Sequence, residues 1–288
     1  MSATVTARRG SARNARLALA GAAVARLALA GAADLTARPA GAPWRRMNYA
    51  GRPVTLLGGP ALAVSATATA VLGAARGTRA AAAVVGGVSG LVGGYDDLAG
   101  ARPEQARDKG LAGHLRALRE GRLSAGAVKV AGIGAAAAVA ALLTSRGSGS
   151  RAGRLVDGVL TTGLVAGSAN LLNLLDLRPG RAGKAGVLAA VAGLGGPAGG
   201  LVAGPLGATL ATLPADLGER VMLGDAGANA LGALIGLRLA ASPSRAVRAG
   251  LLATITGLTL ASEKVSFTKV IEATPGLREL DRLGRRPA

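Results

Sequence analysis

The apolar run "AAAAVVGGVSGLVGGYDD", Ala80–Asp97, ends abruptly in two adjacent carboxylates, Asp96 and Asp97. No charged residue precedes them in the run, and the whole chain has only 15 acidic residues against 34 basic ones. Such a segment is typical of a helix that crosses an apolar layer and ends at its polar boundary. The question is therefore what two scarce acids do at that boundary.

The composition of the rest of the chain agrees with a membrane protein. Half of the 288 residues are apolar, yet only 1% are aromatic, and 46 are glycine. A soluble core of this size would normally use more aromatic side chains, whereas small residues suit closely packed transmembrane helices. Biased codon usage would enrich the same small residues. The absence of cysteine excludes disulfides and thiolate metal sites. The net charge of +19 does not indicate a nucleic-acid binder, because the basic residues lie between long apolar runs. This distribution suits contacts with anionic lipid headgroups.

The apolar runs predict an all-α fold, a polytopic integral membrane helical bundle of about nine transmembrane helices in a single domain, residues 1–288. A transmembrane helix needs about 20 predominantly apolar residues. The Gly-Gly-Pro at Gly195–Pro197 would divide one long segment into two short helices. The predicted spans are Leu17–Leu35, Val54–Ala74, Ala80–Gly94, Leu123–Thr144, Leu155–Leu175, Ala185–Leu194, Gly199–Leu213, Met222–Ala241 and Ala246–Ala261.

The distribution of Lys and Arg sets the predicted orientation. With nine spans, the loops on the side of Asp96 carry more basic residues than the loops on the other side. We therefore predict that the protein lies in the plasma membrane with its Asp96 side in the cytoplasm. The N-terminus then lies outside, with residues 1–14 disordered, and residues 263–288 form a cytoplasmic tail. We interpret the apolar stretch within the first 35 residues as an uncleaved helix and not as a secretory signal.

Two further polar clusters fall on the same predicted side. "ANLLNLLDLRPGR" follows the fifth span and contains Asn170, Asn173, Asp176 and Arg178, where the spacing of three puts the amides and the carboxylate on one helical face. "VMLGDAGANALG" opens the eighth span and contains Asp225. Hard carboxylate oxygens bind Mg²⁺, which bridges phosphates, and basic residues such as Lys109 neutralise the remaining phosphate charge. The chemistry indicated is phosphoryl transfer, in which positioning and charge neutralisation do most of the catalysis.

Each cluster also has a simpler interpretation. Adjacent acids at a helix end are commonly a solvated boundary or a helix cap, and Asp225 is well placed to be an N-cap. The two asparagines could be hydrogen-bonding contacts between helices. Lys129 and Asp157, which lie inside the fourth and fifth spans, could pair or snorkel, or could mark a transport pathway.

Taken in order, the motifs resemble those of a known family. They are "NYAGRPVTLLGG" (Asn48–Gly59), "YDD" with "KGL" (Tyr95–Leu111), "NLLNLLD" (Asn170–Asp176) and "MLGDAGANALG" (Met222–Gly232). This series is similar to the polyprenyl-phosphate sugar-1-phosphate transferases, which include phospho-N-acetylmuramoyl-pentapeptide transferase and the undecaprenyl-phosphate N-acetylglucosamine-1-phosphate transferases. The resemblance covers about residues 48–232.

The resemblance implies a Mg²⁺-dependent transfer of a sugar-1-phosphate from a nucleotide sugar, a UDP-sugar in this family, to polyprenyl phosphate, with a homodimer as one possible assembly. Asp225 would be the metal ligand, and Asp96, Asp97 and Lys109 would be catalytic. The implied substrate-binding residues are Asn48, Asn170, Asn173, Asp176 and Arg178.

The chain departs from the family pattern at three places. Gly100 stands where a lysine often follows the acid pair, and Pro179 stands where a second acid often follows Asp176. Residues 262–285 contain no histidine, whereas the last cytoplasmic loop of the family often carries a histidine-containing motif for sugar recognition. These departures keep two rival hypotheses open. One is a non-catalytic scaffold or lipid-carrier binder on the same fold, and the other is a transporter that depends on Lys129 and Asp157.

Overall fold

The all-α prediction is confirmed by the computed structural model, which describes residues 2–99, 119, 124–145 and 150–286, with side chains from Gly10 onward. Within these ranges the sheet structure is one short hairpin, in which β1 (Arg45–Met47) pairs antiparallel with β2 (Pro53–Thr55). The helices are α1 (Ser2–Ala37), α2 (Gly58–Gly73), α3 (Arg79–Ala99), α4 (Ala125–Leu143), α5 (Arg151–Leu175), α6 (Arg181–Ala192), α7 (Gly200–Leu217), α8 (Gly224–Ala240), α9 (Arg245–Ser262), α10 (Phe267–Ala273) and α11 (Leu277–Arg282).

Each of the nine predicted spans coincides with one of the helices α1–α9, but their lengths differ. Among the described segments, Gly10–Ala37, α4 and α5 are both long and apolar enough to cross a membrane, while α2 is apolar but shorter. At 1.5 Å per residue, the 12 residues of α6 extend about 18 Å, less than the apolar thickness of a bilayer. The expected break at Gly195–Pro197 is confirmed, since α6 ends at Ala192 and α7 begins at Gly200.

The N-terminal stretch 1–14 is helical where the structure describes it, and our expectation of disorder is wrong there. The helix α1 begins at Ser2, and its first side-chain anchors fall inside this stretch. Arg13 Nη2 donates to the carbonyl of Gly73 at 2.7 Å, and Asn14 Nδ2 donates to the carbonyl of Leu194 at 3.1 Å. These bonds tie the start of the chain to the ends of α2 and α6.

The helix α8 forms the centre of the bundle. Its residues from Ala226 to Leu237 are all buried, because α2, α3 and α5 pack around it. Such close packing depends on glycine. A Cβ added at Gly232 would lie 2.5 Å from the carbonyl oxygen of Ser168 in α5, and one added at Gly59 would lie 2.0 Å from that of Leu223. The backbones approach closely enough to bring residues of α2, α5 and α8 to the same end of the bundle.

The hairpin lies at the end of the bundle where α3 finishes and α8 starts. The amide of Met222 donates to the carbonyl of Thr55 at 2.9 Å, and Arg46 Nη2 donates to the carbonyl of Asp97 at 2.5 Å. The predicted span Val54–Ala74 therefore starts with a strand, and its helix begins only at Gly58. Pro53, which lacks a backbone donor, and the turn before Gly58 keep this segment out of the helix.

Candidate functional site

Asp97 caps the N-terminus of α8. It lies in the last turn of α3, beyond the predicted span Ala80–Gly94, and its two carboxylate oxygens accept from the amides of Asp225 at 2.9 Å and Ala226 at 3.0 Å. An ionised side chain at this position is stabilised by the unpaired amides and by the helix dipole. Burial nevertheless raises the pKa of the Asp97 carboxyl to about 6, although the hydrogen bonds from the two backbone amides act to lower it. Asp97 therefore fixes the position of the backbone at Asp225, from which the Asp225 side chain extends.

Lys129 of α4 joins the two remaining acids. Its Nζ donates to Asp96 Oδ2 at 2.7 Å and also to Asp225 Oδ2. The three side chains are each less than about one-fifth exposed. A partly buried lysine between two carboxylates neutralises charge that would otherwise be costly in this setting. Residues from α3, α4 and α8, far apart in the sequence, thus form one acidic cluster with a cation at its centre.

Asp176 reaches the same cluster from the C-terminal end of α5. Its carboxyl lies near the amide of Gly224 and close enough to Asp216, Asp225 and Asp97 for their charges to act on it. Burial, followed by those neighbouring carboxylates, raises the pKa of Asp176 well above its usual value. The carboxyl groups of the three sequence motifs therefore converge at one end of the bundle.

Asp216, at the end of α7, adds a further carboxyl that the sequence motifs do not include. Asp216 is 2% exposed, and its Oδ2 accepts from the amide of Gly180 at 3.0 Å. Burial raises the pKa of Asp216 to about 7, and the Gly180 amide, Arg285 and Lys184 oppose that effect. The bond places its carboxylate beside the segment where Pro179 replaces the second acid of the family pattern.

We expect Asp216→Asn to flatten the pH dependence of stability. Because the pKa of Asp216 is raised on folding, the folded state binds more protons than the unfolded state between about pH 4 and pH 7, and stability falls as the pH rises through that window. Asparagine keeps an oxygen acceptor for Gly180 but does not ionise. Thermal unfolding of detergent-solubilised protein at about pH 5 and about pH 8 should show a smaller difference in the variant than in the wild type.

The matched control for this prediction is Asp34→Asn, because Asp34 is exposed and pairs with Arg38 one helical turn away. It should keep the wild-type pH profile, since exposed pairs contribute little. An Asp216→Asn profile parallel to that of the wild type would show that Asp216 is ionised in the folded protein throughout the range.

The other predicted substrate-binding residues have different surroundings. Asn48 holds the hairpin, since its Oδ1 accepts from the amides of Ala50 and Arg52 and its Nδ2 donates to Glu219 at 2.5 Å. Asn170 is exposed and contacts Thr259 of α9 at 3.5 Å, which agrees with a contact between helices.

Asn173 and Arg178 lie near the end of α5. Asn173 is half-buried, and its carbonyl accepts from the amide of Asp176. The guanidinium of Arg178 stacks on the ring of Tyr49, 4.0 Å from its centroid, and lies 3.8 Å from Glu272. Arg178 thus connects the hairpin to the C-terminal tail, while Lys109 lies outside the described residues.

The C-terminal tail packs beside the site through a buried ion pair. Arg181 donates to both carboxylate oxygens of Asp281, at 2.8 and 3.1 Å, and Arg285 donates to the same carboxylate at 2.7 Å. Lys184 donates to the carbonyls of Leu280 and Asp281. Residues 263–286, predicted only as a tail, therefore form two short helices that hold the segment after α5 in place.

Sequence reasoning did not assign Lys129, Asp216 or Glu219 to the site. Lys129 carried a signal, because it is a charge inside an apolar run, but the sequence does not say which acid it meets. Glu219 carried none, although it is buried, has a positive φ of 53° and accepts from Asn48 and Arg52. Lys129 and Asp157 do not pair with each other, since Asp157 bonds to Arg245 and Arg248.

The capacity of the cluster for a cation rests on two carboxylates. Within the described residues, no group of three or more His, Cys, Asp or Glu side chains is arranged to hold a metal ion. Mg²⁺ is, however, commonly held by one or two carboxylates together with waters and substrate phosphates. Asp96 and Asp225 provide such a pair, and Lys129 takes the place between them. The two carboxylates would fit Mg²⁺ once the Lys129 ammonium moved from between them to another anion, such as a phosphate.

Comparisons with known proteins identify no relative. No protein-family model, curated protein or solved structure matches the chain.

Proposed function

We propose that the chain is an integral membrane glycosyl-1-phosphate transferase that moves a sugar-1-phosphate from a nucleotide sugar to polyprenyl phosphate. In this proposal it acts at the cytoplasmic face of the plasma membrane, in cell-envelope glycan synthesis, with about nine membrane crossings. The observation that carries the proposal is that Asp96, Asp97, Asp176 and Asp225 lie at one end of the bundle, where Lys129 bonds to Asp96 and Asp225. The choice of UDP as the nucleotide of the sugar donor rests on the motif resemblance alone.

The reaction forms one phosphorus–oxygen bond and breaks another. An oxygen of the acceptor phosphate attacks the sugar-bearing phosphorus, and the bridging oxygen leaves with the nucleoside monophosphate. When bound by Asp225 and Asp96, Mg²⁺ would neutralise the charge on the transferred phosphoryl group.

The side chains of the protein would position the reacting phosphates. Asp97 holds the amides of Asp225 and Ala226 and so fixes the start of α8. The Lys129 ammonium, released from the two acids, would bind a phosphate oxygen as a point charge.

A groove at this end of the bundle supports a lipid acceptor. It has a volume of about 600 Å³, lies between α1 and α7 beside Thr55 and Val221, and is lined mainly by small apolar side chains. Arg26 and Arg220 also line it. An apolar groove with basic residues matches a ligand that joins a hydrocarbon chain to an anionic phosphate.

The direct test is an assay with purified protein, undecaprenyl phosphate, Mg²⁺ and a panel of UDP-sugars. We expect a lipid-linked sugar phosphate and an equal amount of released UMP with at least one donor. A folded preparation that forms no product with any donor overturns the proposal.

A non-catalytic lipid-carrier binder is the second candidate, and the position of Lys129 favours it. An ammonium that remains between Asp96 and Asp225 would block a cation from that place. Such a binder would retain undecaprenyl phosphate without product formation, so lipid binding measured beside the assay separates the two candidates.

A further inference from the structure

The opposite end of α5 carries a basic cluster that the proposed transferase site does not use. Arg151 and Arg154 lie in the first turn of α5, Arg245 and Arg248 lie in the first turn of α9, and Asp157 is the acid among them. Among the described residues, this end of the helix pair thus brings together four guanidinium groups and one carboxylate.

Asp157 holds two of these arginines in a defined geometry. Arg245 donates through Nε to Asp157 Oδ1 at 2.8 Å and through Nη2 to Oδ2 at 2.7 Å, and it also reaches the carbonyl of Gly153 at 3.1 Å. Arg248 Nη2 donates to Asp157 Oδ1 at 2.6 Å. One carboxylate therefore fixes two guanidinium groups but balances only one of their charges.

Arg248 provides a buried donor, its Nε, for which the described part of the chain offers no acceptor. Its residue surface is only 9% exposed, and its Nε is buried without a hydrogen-bond acceptor. A buried polar group of this kind costs free energy unless an acceptor reaches it, and the cost is larger for a charged group. Because this Nε has almost no accessible surface, an anion at the cluster would supply the acceptor once the Arg248 side chain turned toward it.

The cluster lies at the depth of a lipid headgroup when α5 crosses a membrane. The 25 residues of α5 extend about 38 Å, so its start and the Asp176 end lie on opposite sides of an apolar layer about 30 Å thick. Leu155 and Val159, which follow the cluster along α5, are 70% and 58% exposed. Acyl chains can cover these side chains while a phosphate meets the arginines.

The two helix starts add to the attraction for an anion. The side chains of Ser150 and Ser244 cap α5 and α9, and both helices direct their positive dipole ends to the cluster. From this geometry we infer that the cluster binds the phosphate of an anionic phospholipid, of the phosphatidylglycerol type, in the leaflet opposite to Asp96. The exposed apolar side chains beside the arginines favour a lipid over free phosphate. This inference depends on the membrane placement and not on transferase activity.

The test compares lipid binding between variants in nanodiscs. Native mass spectrometry of protein released from mixed phosphatidylcholine and phosphatidylglycerol nanodiscs should show retained phosphatidylglycerol with the wild type. Arg248→Gln removes the buried charged donor and should weaken retention by about tenfold, as expected for a lost charge-assisted hydrogen bond. Arg151→Gln replaces an exposed side chain and should leave the fold unchanged. It should weaken lipid retention less than Arg248→Gln does.

Arg76→Gln is the matched control, because Arg76 is exposed in the turn before α3, on the same predicted side but outside the cluster. It should retain phosphatidylglycerol as the wild type does. Equal retention by all three variants and the wild type overturns the inference. An equal loss in all three variants also overturns it, since the effect would then be that of surface charge. Displacement of the lipid by an equal concentration of inorganic phosphate would show that the ligand is free phosphate.

Discussion

Asp225→Asn is expected to lower transferase turnover by about a thousandfold, while leaving the protein folded and in the membrane. The carboxylate of Asp225 contributes the negative charge that faces Lys129, and with Asp96 it forms the pair that would hold Mg²⁺. Asparagine has nearly the same shape but no charge. The fold should persist because Asp97 bonds to the backbone amide at position 225 and not to its side chain. Initial rates of lipid-linked product formation measure the effect.

Two controls separate a loss of chemistry from a loss of structure. Asp34→Asn removes one carboxylate from an exposed pair with Arg38 and should keep full turnover. Thermal unfolding of Asp225→Asn should remain cooperative, and size-exclusion chromatography should show an unchanged profile. Full turnover in Asp225→Asn contradicts the assigned role of the acidic cluster, even if the chain proves to be a transferase.

Gly232→Ala is expected to destabilise the bundle by about 3 kcal/mol or more, at the upper end of the range for overpacked interiors. The added Cβ would lie 2.5 Å from the carbonyl oxygen of Ser168 and 2.7 Å from the Cα of Ala169. Both are backbone atoms of α5, so no side chain can rotate away. Relief requires α5 and α8 to separate, and these two helices carry Asp176 and Asp225. Thermal unfolding and the yield of monodisperse protein measure the loss.

Gly158→Ala is the control for that substitution, since Gly158 also lies in α5 but has open space around its Cβ position. Alanine is favoured over glycine within a helix by about 0.5–1 kcal/mol, so this variant should be as stable as the wild type or slightly more stable. A Gly232→Ala protein as stable as Gly158→Ala would show that the two helices are not in close contact.

Much of the site could be predicted from the sequence because its residues follow apolar runs. Asp96 and Asp97 end one run, Asp176 ends another, and Asp225 begins a third, so an alternation of spans brings them to one side. The roles within the cluster could not be predicted in the same way. The resemblance implied a catalytic role for Asp97, and in the structure its two oxygens bond to backbone amides of α8.

Contacts between distant segments account for what sequence patterns missed. Asn48 looked like a ligand for the substrate, yet it fixes a turn of the hairpin and meets Glu219, whose position no motif predicts. Asn170 and Asn173 share the spacing of a helical face, but Asn170 lies against α9. Spacing gives the direction of a side chain relative to its own helix, and only the packing of neighbouring helices decides what it meets.

The sequence alone determined the helical architecture, since long runs of small apolar residues with few polar interruptions leave the backbone little alternative to helices. It also determined which end of the bundle collects the acids. Only the tertiary structure decided that Lys129 lies between Asp96 and Asp225 and that Asp216 stands beside Gly180. Those pairings depend on how closely glycine lets α3, α4, α5 and α8 approach, which is a property of facing surfaces and not of any single segment.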